Sequence, residues 1–169
     1  MSTSQQSGEI YEPFLHSGQI IPAFNLPGAD GMPHGPWDYK QREHLILLFI
    51  QGITDNESRG LLRAFAKRYR DFRQEDCAIL AVSPDPVIVN LEAQETLQLP
   101  FALLSNPDGS VIRKYTLWDA TKHTCKPAIV LADRYNALYQ QWIANSEATL
   151  PAIDELLESL RYLNKLCTP

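Results

Sequence analysis

Thiols are scarce in this chain. Its 169 residues hold three cysteines, Cys77, Cys125 and Cys167, widely separated and without a Cys-x-x-Cys pair. The four histidines are scattered, none at metal-ligand spacing, so neither a disulfide framework nor a zinc site is expected, and no other metal or cofactor is implied. No stretch reaches the roughly 20 apolar residues that a membrane-crossing helix requires. Residues 1–9 are polar and lack both a basic region and an apolar run, so they do not read as a secretory signal. The expected setting is cytoplasmic, where thiols stay reduced. Basic residues are outnumbered, 15 Lys and Arg against 20 Asp and Glu, for a net charge of −5. That balance has the wrong sign for gripping nucleic-acid phosphates or an anionic membrane surface.

What is present describes one globular domain. With 44% hydrophobic and 21% charged residues, the chain can build a full core. Residues 1–18 form a polar lead-in, from which Tyr11, Phe14 and Leu15 dock on a body spanning 19–169. Residues 20–26 alternate and are closed by Pro27-Gly28-Ala29-Asp30-Gly31, which predicts an edge strand, with Pro22 confining it to the edge. Residues 44–50 form an apolar run, as a strand covered on both faces must. Over 57–72, Leu61, Leu62, Phe65, Tyr69 and Phe72 recur at helical spacing. The basic residues from Arg59 to Arg73 make a face that pairs with acids or docks an acidic partner.

Residues 77–83 predict a second buried strand, stopped by Pro84 and Pro86 and followed by a helix over 87–97. A short segment, 101–105, precedes the turn Asn106-Pro107-Asp108-Gly109, and 110–115 make one or two helical turns. Residues 127–132 predict a third buried strand, joined through 133–136 to 137–143 as a hairpin. A final helix opens near Pro151 and runs to Lys165. Buried strands alternating with helices, then a hairpin and a helix, indicate an α/β fold with a central mixed sheet flanked by helices on both faces.

Four segments, 19–27, 47–52, 79–86 and 100–109, resemble in order and spacing the peroxiredoxin-like redoxins, the alkyl hydroperoxide reductase and thiol-specific antioxidant family. The likeness runs from about Gly18 to Leu163 and implies a thioredoxin-like fold. Within it, Pro127 and the run after it resemble the strand that follows a cis-proline. The resemblance also implies a cysteine at the N-terminus of the helix after the first central strand. There the helix dipole and free N–H groups hold a thiolate that attacks peroxide or a disulfide. Aligned on Gln51-Gly52-Ile53-Thr54, the family's two cysteines fall on Asp55 and Ser58. Aligned on Ala64-Phe65, the peroxidatic cysteine again falls on Ser58. A serine hydroxyl cannot cycle through sulfenic acid and a disulfide. Thr54-Asp55-Asn56-Glu57 reads instead as a capping box, with Asp55 and Ser58 as a second arrangement of the same kind.

The expectation is a degenerate family member whose site residues Thr54, Asp55, Ser58 and Pro127 carry no thiol chemistry. Such a protein acts by binding a protein partner through the surface of the former site. The alternative is an atypical thiol peroxidase built on Cys125, two residues before Pro127. Lys126 would lower its pKa, His123 shares its loop, and Cys167 would be the resolving thiol. A third reading is a small-molecule binder in the cleft between Thr54 and Pro127. Cys77, opening a buried strand, reads as an inert apolar residue. Asp30, Asp55, Glu57 and Asp108 form no paired-carboxylate pattern. Many relatives form dimers, so the resemblance also admits a homodimer.

Overall fold

A computed structural model describes residues 15–166. In chain order the elements are β1 (Leu26–Pro27), β2 (Pro33–His34), β3 (His44–Phe49), α1 (Asn56–Lys67), α2 (Tyr69–Gln74) and β4 (Cys77–Ser83). There follow α3 (Val87–Thr96), β5 (Ala102–Ser105), β6 (Trp118–Asp119), β7 (Thr124–Cys125), β8 (Ala128–Ala132), β9 (Leu138–Ile143) and α4 (Ile153–Leu166). Three 3-10 turns lie at Pro36–Asp38, Ile112–Lys114 and Glu147–Thr149.

The main sheet has the order β5-β4-β3-β8-β9. β3, β4 and β5 run parallel, while β8 is antiparallel to β3 and β9 to β8. β3 lies at the centre, and every one of its residues is buried. Its side chains alternate between two cores. Ile46 and Leu48 face a layer built from all four α-helices, through Leu62, Phe65, Phe72, Ala93 and Leu160 among others. Leu45, Leu47 and Phe49 face a second layer of Leu15, Ile21, Leu26, Ile112 and Tyr115. Both faces carry helix, unequally: the second has the 3-10 turn Ile112–Lys114 and irregular chain.

Residues 20–25 do not form the expected edge strand. A single bridge, Ile20 to Ala137, and the two-residue pairing of β1 with β2 are all the ladder that forms there. The proline at 22 has no N–H to donate, and the segment is held otherwise. The Tyr115 hydroxyl, whose ring stacks on Phe49 at 4.9 Å, donates to the Pro22 carbonyl. Leu15 docks on the body as expected and is 6% exposed. Tyr11, Phe14 and Cys167 lie outside the described residues. The helix expected over 57–72 is two helices, with Arg68 ending α1 and leading into α2. The cis-proline expectation also fails: no peptide bond among the described residues is cis. β8 nevertheless follows Pro127 directly, as the resemblance implied.

Candidate functional site

The site lies where β3 hands over to α1, because the apolar run ends there and the next residues are turn and cap formers. Asp55 is extended (φ −82°, ψ 127°), and its Oδ2 accepts from the Ser58 backbone N–H at 3.0 Å. Asp55 with Ser58 is therefore the cap. Thr54 is not, since it stands one residue before the cap position and its side chain holds no hydrogen bond among the described residues.

Ser58 is fully buried. Its hydroxyl donates to Glu147 Oε1 at 2.5 Å and lies 3.2 Å from Asp55 Oδ2, while its Oγ accepts from the Gly52 N–H at 3.4 Å. Ser58, Leu62 and Phe65 share the buried face of α1, so helical spacing drives this hydroxyl inward. Glu147, in the 3-10 turn Glu147–Thr149, is 5% exposed and also accepts from the Gln51 N–H at 3.2 Å. Asp85 accepts from the Ile53 N–H at 2.8 Å and is itself held by Ser83 Oγ at 2.6 Å. The amides of Gln51, Ile53 and Ser58 thus all point at carboxylates of this chain. These three donors are therefore taken, and the charge beside them is negative.

A second loop completes the site. β6 and β7 form a small hairpin. Thr124 Oγ1 donates to the Gln51 carbonyl at 2.7 Å, and Cys125 Sγ to the Ile50 carbonyl at 3.2 Å. The loop before Pro127 therefore meets the chain just after β3, ahead of α1. Cys125 itself is 3% exposed. Burial, with Glu147 acting in the same sense, pushes its thiol up to about 12. The lowering expected from Lys126 is the reverse of what the site imposes, since burial dominates. His123, in the hairpin turn, packs its ring near Trp118 and has its Nδ1 3.3 Å from the Ala120 carbonyl, so it and Cys125 are not paired. Cys77 is buried as expected, and burial pushes its thiol far upward too.

Between these loops lies an open cleft lined by Gln51, Thr54, Asp55, Asp85, Lys122 and Thr124. A groove on its other flank joins Ile53, Thr54 and Arg59 to Val89 and Glu92 of α3. Sequence reasoning missed Glu147 and Asp85. Asp85 directly follows a strand-ending Pro84, an available signal; Glu147 meets Ser58 across 89 residues, and nothing local marks it. The Arg-rich region is paired in part: Arg68 joins Asp71 and Asp154, and Arg73 joins Glu43.

The sequence profile of the AhpC/TSA family matches residues 17–141. Two curated proteins of Mycobacterium tuberculosis, from strains CDC 1551 and H37Rv and both named as peroxiredoxins, are each 29% identical to this chain over 106 residues. The matched region is 63% of this chain and 65% of theirs, so the likeness spans less than two thirds of those relatives' length. The crystal structure of Peroxidoxin BcpB from Mycobacterium tuberculosis superposes with a TM-score of 0.76 at 18% identity, over 87% of this chain and 97% of that one. A reduced 2-Cys peroxiredoxin from Plasmodium vivax superposes at 0.78, with 18% identity, over 89% and 83% of the two chains. At such identities these structures speak for the thioredoxin-like fold alone. No helix among the described residues is long and apolar enough to cross a membrane.

Proposed function

This chain belongs to the AhpC/TSA family, and from that premise we propose that it is a member without thiol chemistry, working as a protein-binding module through the surface around the former thiol position. Ser58 carries the reading. It stands where the family's cysteine is expected, fully buried, with its hydroxyl engaged by Glu147 and Asp55. Even a thiol introduced there would meet two carboxylates, which disfavour its ionised form. The Cys125 alternative has less support, because a thiol that burial pushes up to about 12 is neutral at physiological pH and a poor nucleophile.

The exposed surface suits a binding role. On α3, Ile88 is 75% exposed and Leu91 40%, apolar side chains turned to solvent beside the groove at Ile53 and Thr54. The chain's net charge of −5 favours a partner with a basic contact surface. A homodimer belongs to the same proposal, and sedimentation equilibrium tests it.

The test is partner capture by the wild-type chain and by a variant carrying Cys77→Ala, Cys125→Ala and Cys167→Ala. The reading expects the same partners in the same amounts, with capture weakened by Ile88→Asp and Leu91→Asp. Partners retained only by the cysteine-containing chain, and released by reductant, would overturn it.

A further inference from the structure

The far end of α4 is fastened by a cluster of polar groups that the site around Ser58 does not use. At its centre is Asn164, in the last turn of the helix. Its Nδ2 donates to the Glu75 carbonyl at 3.0 Å and to Glu75 Oε2 at 2.9 Å, oxygens that accept. That fixes the orientation of the amide, so Oδ1 faces His44 Nε2 at 2.8 Å and also accepts from Arg134 Nη2 at 3.4 Å. Asn164 thereby ties α4 to the start of β3, to the end of α2 and to the β8–β9 turn.

His44 opens β3, and its side chain is fully enclosed. Because Asn164 Oδ1 can only accept, the neutral ring carries its hydrogen on Nε2 and leaves Nδ1 bare. Nδ1 is enclosed and has no hydrogen-bond partner among the described residues. A proton added there would need an acceptor. The charged groups that act on the ring are Arg134 and Asp133 from the β8–β9 turn and Asp76 from the residues before β4. Beyond Asn164 stand Glu75 and Arg161, paired with each other at 3.5 Å. The Asp133 carboxylate is already engaged by the Tyr135 and Ala137 N–H groups. Arg134 brings a positive charge, and its Nε is itself enclosed without an acceptor among the described residues. An imidazolium in the closed structure would therefore have a hydrogen with no acceptor and a like charge beside it. Burial, the largest influence, lowers the pKa of the ring in the same sense.

We infer that His44 is an acid-sensitive latch whose protonation releases the last turn of α4 from the sheet. The strand is not the part that yields, since β3 is paired with β4 on one side and β8 on the other. A helix end opens at least cost, because its last carbonyls already lack partners within the helix. Release uncovers Leu160 and Leu163, which are buried in the helix-side core. The opened state takes up the proton first as pH falls below 6.5, so opening grows by up to about tenfold per pH unit on the acid side. The inference does not depend on the partner-binding reading.

Hydrogen–deuterium exchange of the full chain, read by mass on peptides covering 156–166 and corrected against the unfolded chain, tests it. Opening at the end of α4 is expected to rise by about tenfold or more from pH 7 to pH 5. α3, which packs on β5 away from His44, should keep its exchange. His44→Gln retains an amide N–H for Asn164 but takes up no proton, and it should abolish the rise. Nitrogen NMR of the wild-type ring at pH 7 should show Nε2 protonated and Nδ1 bare, a readout that stands if the variant fails to fold. A ring already charged at pH 7 would overturn the inference. So would an unchanged α4 at pH 5, a rise of equal size in α3, or the same rise in folded His44→Gln.

Discussion

At position 58 an oxygen and a sulfur would give the neighbouring groups different tasks. With a hydroxyl, Glu147 and Asp55 are hydrogen-bond acceptors that bind the turn together; with a thiolate they would be repelling charges. Ser58→Cys alone is therefore expected not to restore a reactive thiol. The pH dependence of iodoacetamide labelling at that position should show a midpoint above the ordinary cysteine value of 9.0, and a midpoint below about 7 would contradict this. Cys125 lends itself to the same measurement in the wild-type protein. At pH 8 it should resist alkylation while the chain is folded and react once denatured, since burial pushes it up to about 12. The resemblance made positions 55 and 58 legible in the sequence. Glu147 was not, because its role exists only after the chain has closed across 89 residues.

The helices and strands divide by how much of their environment is local. β3, β4 and β8 were legible because burial on both faces leaves an unbroken apolar run. The hairpin of β6 and β7 was not, since two-residue strands have no period to detect. The break at Arg68 likewise has no glycine or proline to mark it. Capping is where two sequence readings competed, and substitution separates them. Asp55→Ala should destabilise the fold by about 1 kcal/mol, while Thr54→Ala should stay within about 0.5 kcal/mol of wild type in urea denaturation. Gly109 ties the turn at 106–109 to that hairpin. Its φ is +68°, and a Cβ there would sit 2.3 Å from the Trp118 ring. Gly109→Ala should therefore cost about 1–3 kcal/mol in the same assay.

Across the whole molecule, buried titratable groups set a pH window for stability. Burial lowers the pKa of His44, so the unfolded chain takes up its proton first as pH falls below 6.5, and stability declines on the acid side. Burial raises Cys125 to about 12 from 9.0, and raises Cys77 and Tyr115 as well. The unfolded chain then loses those protons first as pH climbs above 9.0, and stability declines on the alkaline side. Melting temperature should be flat between about pH 6.5 and 9 and fall on both sides. A profile still rising above pH 10 would contradict the assignment of these groups as buried and neutral.

The measurement that reaches the central claim most directly is mass spectrometry of the reduced chain after one equivalent of hydrogen peroxide, with a sulfenic-acid trap present. The account predicts no fast, stoichiometric labelling, and at most slow adducts on whichever thiols solvent reaches. Rapid labelling confined to Cys125, abolished by Cys125→Ser, would contradict it and make the protein a peroxidase with a relocated thiol.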